Sequence, residues 1–133
     1  MAAITPFAGS PHGTLVVLRT GSTSTTTDWV DVPSWCGFVT VHLNITVAGT
    51  NTILTLKQPN PVLRDDGTAI TFLTSATITA AGYHSYTIHP CATAVADGAA
   101  ANTAVVAAAP IPTTIGVTTT PTGSTYSTAI SFS

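Results

Sequence analysis

From Val39 to Val47 apolar and polar residues alternate without a break: Val39, Val41, Leu43, Ile45 and Val47 are apolar, and Thr40, His42, Asn44 and Thr46 lie between them. Strict period two marks a β-strand with one buried face, and the β-branched content suits a pleated surface. Ala48-Gly49-Thr50-Asn51 is a turn signal, and Ile53, Leu54 and Leu56 form a second apolar run. The stretch from Cys36 to Gln58 therefore predicts a long hairpin at the centre of an antiparallel sandwich.

The same pattern predicts further strands at 13–20 (GTLVVLRT), 28–32 (DWVDV), 68–75 (TAITFLTS), 83–89 (YHSYTIH) and 113–120, with a last strand carrying Tyr126, Thr128, Ile130 and Phe132 on one face. Pro59-Asn60-Pro61 breaks the order, and Arg64-Asp65-Asp66-Gly67, Ala80-Ala81-Gly82 and Pro121-Thr122-Gly123-Ser124 are turn sequences. The expected fold is an all-β antiparallel sandwich, jelly-roll-like, of about eight strands. It is one domain, 13–133, preceded by an extended arm at 1–12 and interrupted by an Ala-rich inserted loop at 92–109. Ala favours helix, but Gly98, Asp97 and Asn102 interrupt that loop, so one short helical turn or an irregular strand is expected there instead of a real helix.

Composition changes the picture. Of 133 residues 44% are hydrophobic and only 6% charged, with a net charge of −2. Typical soluble domains carry roughly a quarter charged residues. Thr, Ser, Asn and Gly, or other protein surfaces, must cover this molecule, and little charge opposes association. The three basic residues, Arg19, Lys57 and Arg64, are too scattered for a nucleic-acid footprint. No apolar run approaches a membrane span, and the first residues lack a signal-peptide pattern, so a cytoplasmic site of synthesis is expected.

Candidate chemistry is sparse. His84, His89 and Cys91 lie close in sequence, but His84 and His89 point to opposite faces of a strand, and no metal-ligand spacing supports them. Cys36 and Cys91 are expected to be free thiols, although strand ends could bring them near one another. No nucleophile elbow, phosphate loop or paired carboxylate stands out, so no enzyme, cofactor or metal is expected. Trp29 between Asp28 and Asp31 is the one sugar-contact candidate, as part of a carbohydrate-binding sandwich module.

Three runs resemble the small β-sandwich structural proteins of tailed bacteriophages. They are Leu43–Thr50 with Ile53–Gln58, then Ile78-Thr79-Ala80-Ala81-Gly82 leading to Ile88-His89-Pro90, and then 110–117 with 122–131. The chain departs from that group at Thr113, Thr114 and Ile115, where the group often carries Arg or Trp. The resemblance implies a virion component assembled in the host cytoplasm: a capsid decoration (cement) protein, or alternatively a head–tail or tail-associated one. Its implied partners are itself, as a trimer, and the major capsid protein or another virion protein; no nucleic acid, membrane or small-molecule substrate is implied. Ile4 and Phe7 of the arm, with Val95, Val105 and Val106 of the Ala-rich loop, are the expected intersubunit contacts.

Overall fold

A computed structural model describes residues 3–4, 14–62, 65–98, 100–102 and 104–133, with the backbone alone at 3–4 and 65–67. Most of the expected arm, Phe7 included, lies outside the described residues, as does the side chain of Ile4. The chain is all-β. Its strands are β1 (Ala3–Ile4), β2 (Thr14–Ser22), β3 (Thr26–Asp31), β4 (Val39–Val47), β5 (Asn51–Asn60), β6 (Asp65–Thr74), β7 (Gly82–Ile88), β8 (Ala104–Ala107), β9 (Thr114–Thr122) and β10 (Thr125–Phe132). Two five-stranded sheets pack face to face: sheet A in the order β1-β3-β9-β5-β6 and sheet B in the order β2-β10-β4-β7-β8. The pairs are antiparallel except β1 with β3 and β7 with β8. Among the described residues there is no helix.

The alternation of β4 holds as far as Ile45; Val47, at the end of the strand where the chain leaves the sheet, is exposed instead of buried. Val39, Val41, Leu43 and Ile45 are buried, against Leu54 and Leu56 of β5, Ile115 and Val117 of β9, and Tyr126, Ile130 and Phe132 of β10. The expected hairpin, however, does not form. β4 lies in sheet B and β5 in sheet A, so the link 48–50 is an arch between layers. β4 is paired on both sides, by β10 and β7, and β5 on both sides, by β9 and β6, so neither has an edge for the other and their apolar faces meet across the core. The chain also changes sheet between β1 and β2, β2 and β3, β3 and β4, β6 and β7, β8 and β9, and β9 and β10; among the described strands only β5 and β6 are consecutive antiparallel neighbours in one sheet.

Two arches touch. Gly49 N–H donates to Ser124 Oγ (3.1 Å), Thr50 N–H donates to Thr122 O (2.8 Å), and Thr52 Oγ1 donates to Ser124 Oγ (2.8 Å). The C-terminal residue closes the other end of β4: Gly37 and Phe38 N–H donate to Ser133 O at 2.7 and 2.9 Å. The Ala-rich segment is more ordered than expected, because β8 adds a parallel edge strand beside β7, with Val105 opposite Tyr86. Val105 is consequently a core residue, 6% exposed, and is not available as an intersubunit contact.

Candidate functional site

Strand register turns the outer face of sheet B into rows of side chains. One row runs Leu15, Ser131, Thr40, Thr87, Val106. The next runs Val17, Ala129, His42, Ser85, Ala104. These positions face outward because their neighbours along each strand, such as Val41, Leu43, Tyr86 and Ile130, fill the core. Across all five strands the one charged residue is Arg19. Its charge is met at once: Nε lies 3.2 and 3.0 Å from the Asp28 carboxylate oxygens and Nη2 lies 2.9 Å from Oδ1, a two-pronged pair that joins the two sheets. Hydrogen bonding to Asp28, then its negative charge, raises the Arg19 pKa further, so the guanidinium stays protonated.

Five polar side chains on this face are bonded to each other. Thr40 and Thr87 share a hydroxyl hydrogen bond of 3.0 Å. His42 is bonded through Nδ1 to the Tyr83 hydroxyl and through Nε2 to Ser131 Oγ at 3.0 Å. A neutral imidazole has one donor and one acceptor nitrogen, and two hydroxyls satisfy both. Burial lowers the His42 pKa from its ordinary 6.5, which keeps the ring neutral at pH 7. The His42 and Tyr83 rings stack at 5.8 Å and 29°. Beside them lies a shallow depression of 220 Å³ between Val17, Arg19, Asn44 and Ala129. The face can therefore offer shape and short uncharged side chains to a protein surface.

No family model, curated protein or solved structure matches the chain. What the molecule can do follows from its own geometry.

The sugar candidate does not assemble. Trp29 is 7% exposed and lies over Gly116, its cross-strand partner; a Cβ there would come within 2.7 Å of the indole. Lys57 Nζ stands 5.9 Å from the ring centroid. Asp28 projects to the opposite side of β3 and binds Arg19, while Asp31 accepts a hydrogen bond from Thr114 Oγ1 (3.1 Å). The three residues thus form no common open surface. Among the described residues no three His, Cys, Asp or Glu side chains converge as metal ligands. Cys36 and Cys91 are free thiols; Cys36 Sγ donates to Phe38 O (3.0 Å), and burial pushes its pKa up. Of the expected intersubunit contacts, Val95 is exposed, and it bonds Val106 through paired backbone hydrogen bonds of 3.0 and 3.1 Å.

Sequence reasoning weighed His84 only as a metal ligand and did not place it in the core. It faces the core beside Tyr86, is 3% exposed, and its Nε2 is buried without a hydrogen-bond partner. Burial lowers its pKa from 6.5, against a smaller opposing pull from Asp97. The period-two parity of β7, with Tyr86 and Ile88, was the available signal. For His42 and His84 alike the folded pKa lies below 6.5, so below that pH the unfolded chain takes up protons more readily. Their contribution to stability is complete above pH 6.5 and is lost as pH falls through the folded values. The melting temperature is expected to drop between pH 7 and pH 5, with a shallower slope in His84→Gln. An unchanged slope would show that His84 does not protonate differently on unfolding.

Proposed function

We propose that this chain is a structural virion protein of a tailed phage, most specifically a capsid decoration protein that stabilises the shell by protein–protein contact. The observation that carries this reading is the outer face of sheet B: five strands wide, lined by Thr, Ser, Ala and Val, with one ion that is neutralised internally. A sheet face left to water normally carries charged side chains in alternation with the core positions. Such a face suits cover by another protein, and the residue runs that resemble phage sandwich proteins agree with it. A decoration protein acts at many equivalent sites, so each contact need contribute only a few kcal/mol.

The test uses expanded phage shells that lack the protein. Purified protein is titrated onto them and binding is followed by co-sedimentation, with shell disruption followed on heating. Saturable binding and a higher disruption temperature are expected, and His42→Asp, which puts an ion at the centre of the face, is expected to weaken binding by about tenfold or more. Absence of binding overturns the reading. Gold labelling of whole virions on the tail instead of the head would replace it with the tail-associated alternative.

A further inference from the structure

His42 stands in the middle of the outer face of sheet B. It lies on β4, the central strand, with Ala129 of β10 on one side and Ser85 of β7 on the other. Its ring is half-buried, and both nitrogens are engaged, Nδ1 with the Tyr83 hydroxyl and Nε2 with Ser131 Oγ. Histidine is the side chain whose charge ordinarily changes between pH 5 and pH 8. What a proton meets here is set by the neighbours. The five strands of sheet B contain no Asp or Glu. Among the described residues, β7 presents Tyr83 to the ring, β8 has no ionisable group, and β2 brings Arg19 to the depression beside it. Asp28 of β3 already holds the Arg19 charge. His84 and Tyr86 of β7 and Tyr126 of β10 lie buried on the other side of the sheet. An imidazolium at His42 therefore has no counter-ion on this face. Its hydrogen bonds change as well. A neutral ring accepts one and donates one, whereas an imidazolium donates both, so the hydroxyl that had been donating must turn its hydrogen away. Ser131 Oγ can turn to Thr40 O, 3.5 Å away; Tyr83 is exposed and turns its hydrogen outward.

We propose that His42 is a proton switch for the contact this face makes: the neutral ring lets a partner surface cover it, and the protonated ring loosens that cover. The inference rests on the shell-binding reading and adds its regulation. A covering surface takes water away from the ring, and that favours the neutral form. Binding therefore releases a proton wherever the free ring carries one. Affinity falls as pH drops through the titration of the free ring, by at most about tenfold per pH unit for a single proton. Burial already holds that titration below 6.5, so affinity is level above neutral pH and declines towards pH 5. The same argument describes the partner. Its patch over His42 carries no carboxylate, because a carboxylate would pair with the imidazolium and reverse the trend.

The test titrates the purified protein onto expanded phage shells that lack it, at pH 8, 7, 6 and 5. Binding is read by co-sedimentation, and circular dichroism at each pH checks the fold. Wild-type affinity is expected to be level from pH 8 to pH 7 and to fall by about threefold or more at pH 5. His42→Gln, neutral at every pH, is expected to bind as the wild type does at pH 8 and to show no fall. His89→Gln, at the end of β7 where His89 stacks on Phe38, is expected to keep the fall. In the free wild-type protein the His42 ring, followed by NMR, is expected to titrate over the pH range in which binding declines. Wild-type binding that stays level to pH 5, an equal fall in His42→Gln, or a His42 titration outside that range overturns the switch and leaves shell binding standing. Absence of binding at every pH overturns the shell-binding reading, and the switch with it.

Discussion

Gly49→Ala is expected to cost about 3 kcal/mol of stability, a large share of the roughly 5–15 kcal/mol that holds a domain folded. A Cβ at Gly49 would stand 2.3 Å from Thr122 O, 2.4 Å from Gly123 C and 2.6 Å from Ser124 N. All three are backbone atoms, so no rotamer change can relieve the clash. The arch 48–50 would have to lift away from the β9–β10 link, losing the bonds from Gly49 N to Ser124 Oγ and from Thr50 N to Thr122 O. Ser124 is 2% exposed, and its hydroxyl also accepts from Thr52, so the loss would leave buried polar groups unpaired. Urea unfolding checks this: the midpoint falls while the slope stays constant. A loss under about 0.5 kcal/mol, the scale of an ordinary surface substitution, would mean that the two arches are not held against one another.

The arches mark where sequence reasoning stops. Period two in β4, β7 and β10 assigns each residue to a face, and those assignments hold except at Val47, which the alternation puts on the buried face and which is exposed at the end of β4. Period two says nothing about which strand lies alongside. Ala48-Gly49-Thr50 reverses the chain equally well within a sheet or between sheets, because turn residues report backbone freedom rather than hydrogen-bond partners. The expected hairpin was therefore legible as two strands and a reversal, but its pairing was not. The same limit applies to the candidate site. Low charge was visible in the composition, whereas its near-absence from sheet B depends on which five strands share that sheet. Trp29 flanked by Asp28 and Asp31 suggested an open sugar platform. Only the register with Gly116 shows that a residue without a side chain leaves a slot in which the indole is covered. Val105 sat in an Ala-rich run too short for periodicity to place, and its burial follows from parallel pairing with Tyr86, a contact distant in sequence.

Tyr86 is where the second large effect is expected, and two substitutions separate its ring from its hydroxyl. The side chain is fully buried in β7, among the largest in the core. Tyr86→Ala is expected to cost about 4 kcal/mol through lost burial and the cavity left behind. Tyr86→Phe is expected to gain about 1 kcal/mol instead, because the hydroxyl is buried without a hydrogen-bond partner and removing it removes a desolvation cost. Ser75 Oγ lies near, accepting from Leu54 N (2.9 Å) and donating to Ala76 O (2.9 Å), and its pull on the Tyr86 hydroxyl is the smallest influence on that group, opposing the rise in its pKa. Burial, and then the negative charge of Asp97, pushes the Tyr86 hydroxyl up to about 12 from its ordinary 10. The unfolded chain thus loses this proton first as pH rises, so the wild-type protein loses stability from pH 10 towards 12 and the Phe variant is spared that part of the loss. Chemical unfolding of both proteins at pH 7 and pH 11 measures the two effects together: Tyr86→Phe is the more stable at pH 7, and its advantage widens at pH 11. If Tyr86→Phe were instead destabilised at pH 7, the hydroxyl would have to be making a favourable bond inside the core. The packing of β7 against the two loops that carry Ser75 and Asp97 would then be tighter than the unpartnered hydroxyl implies.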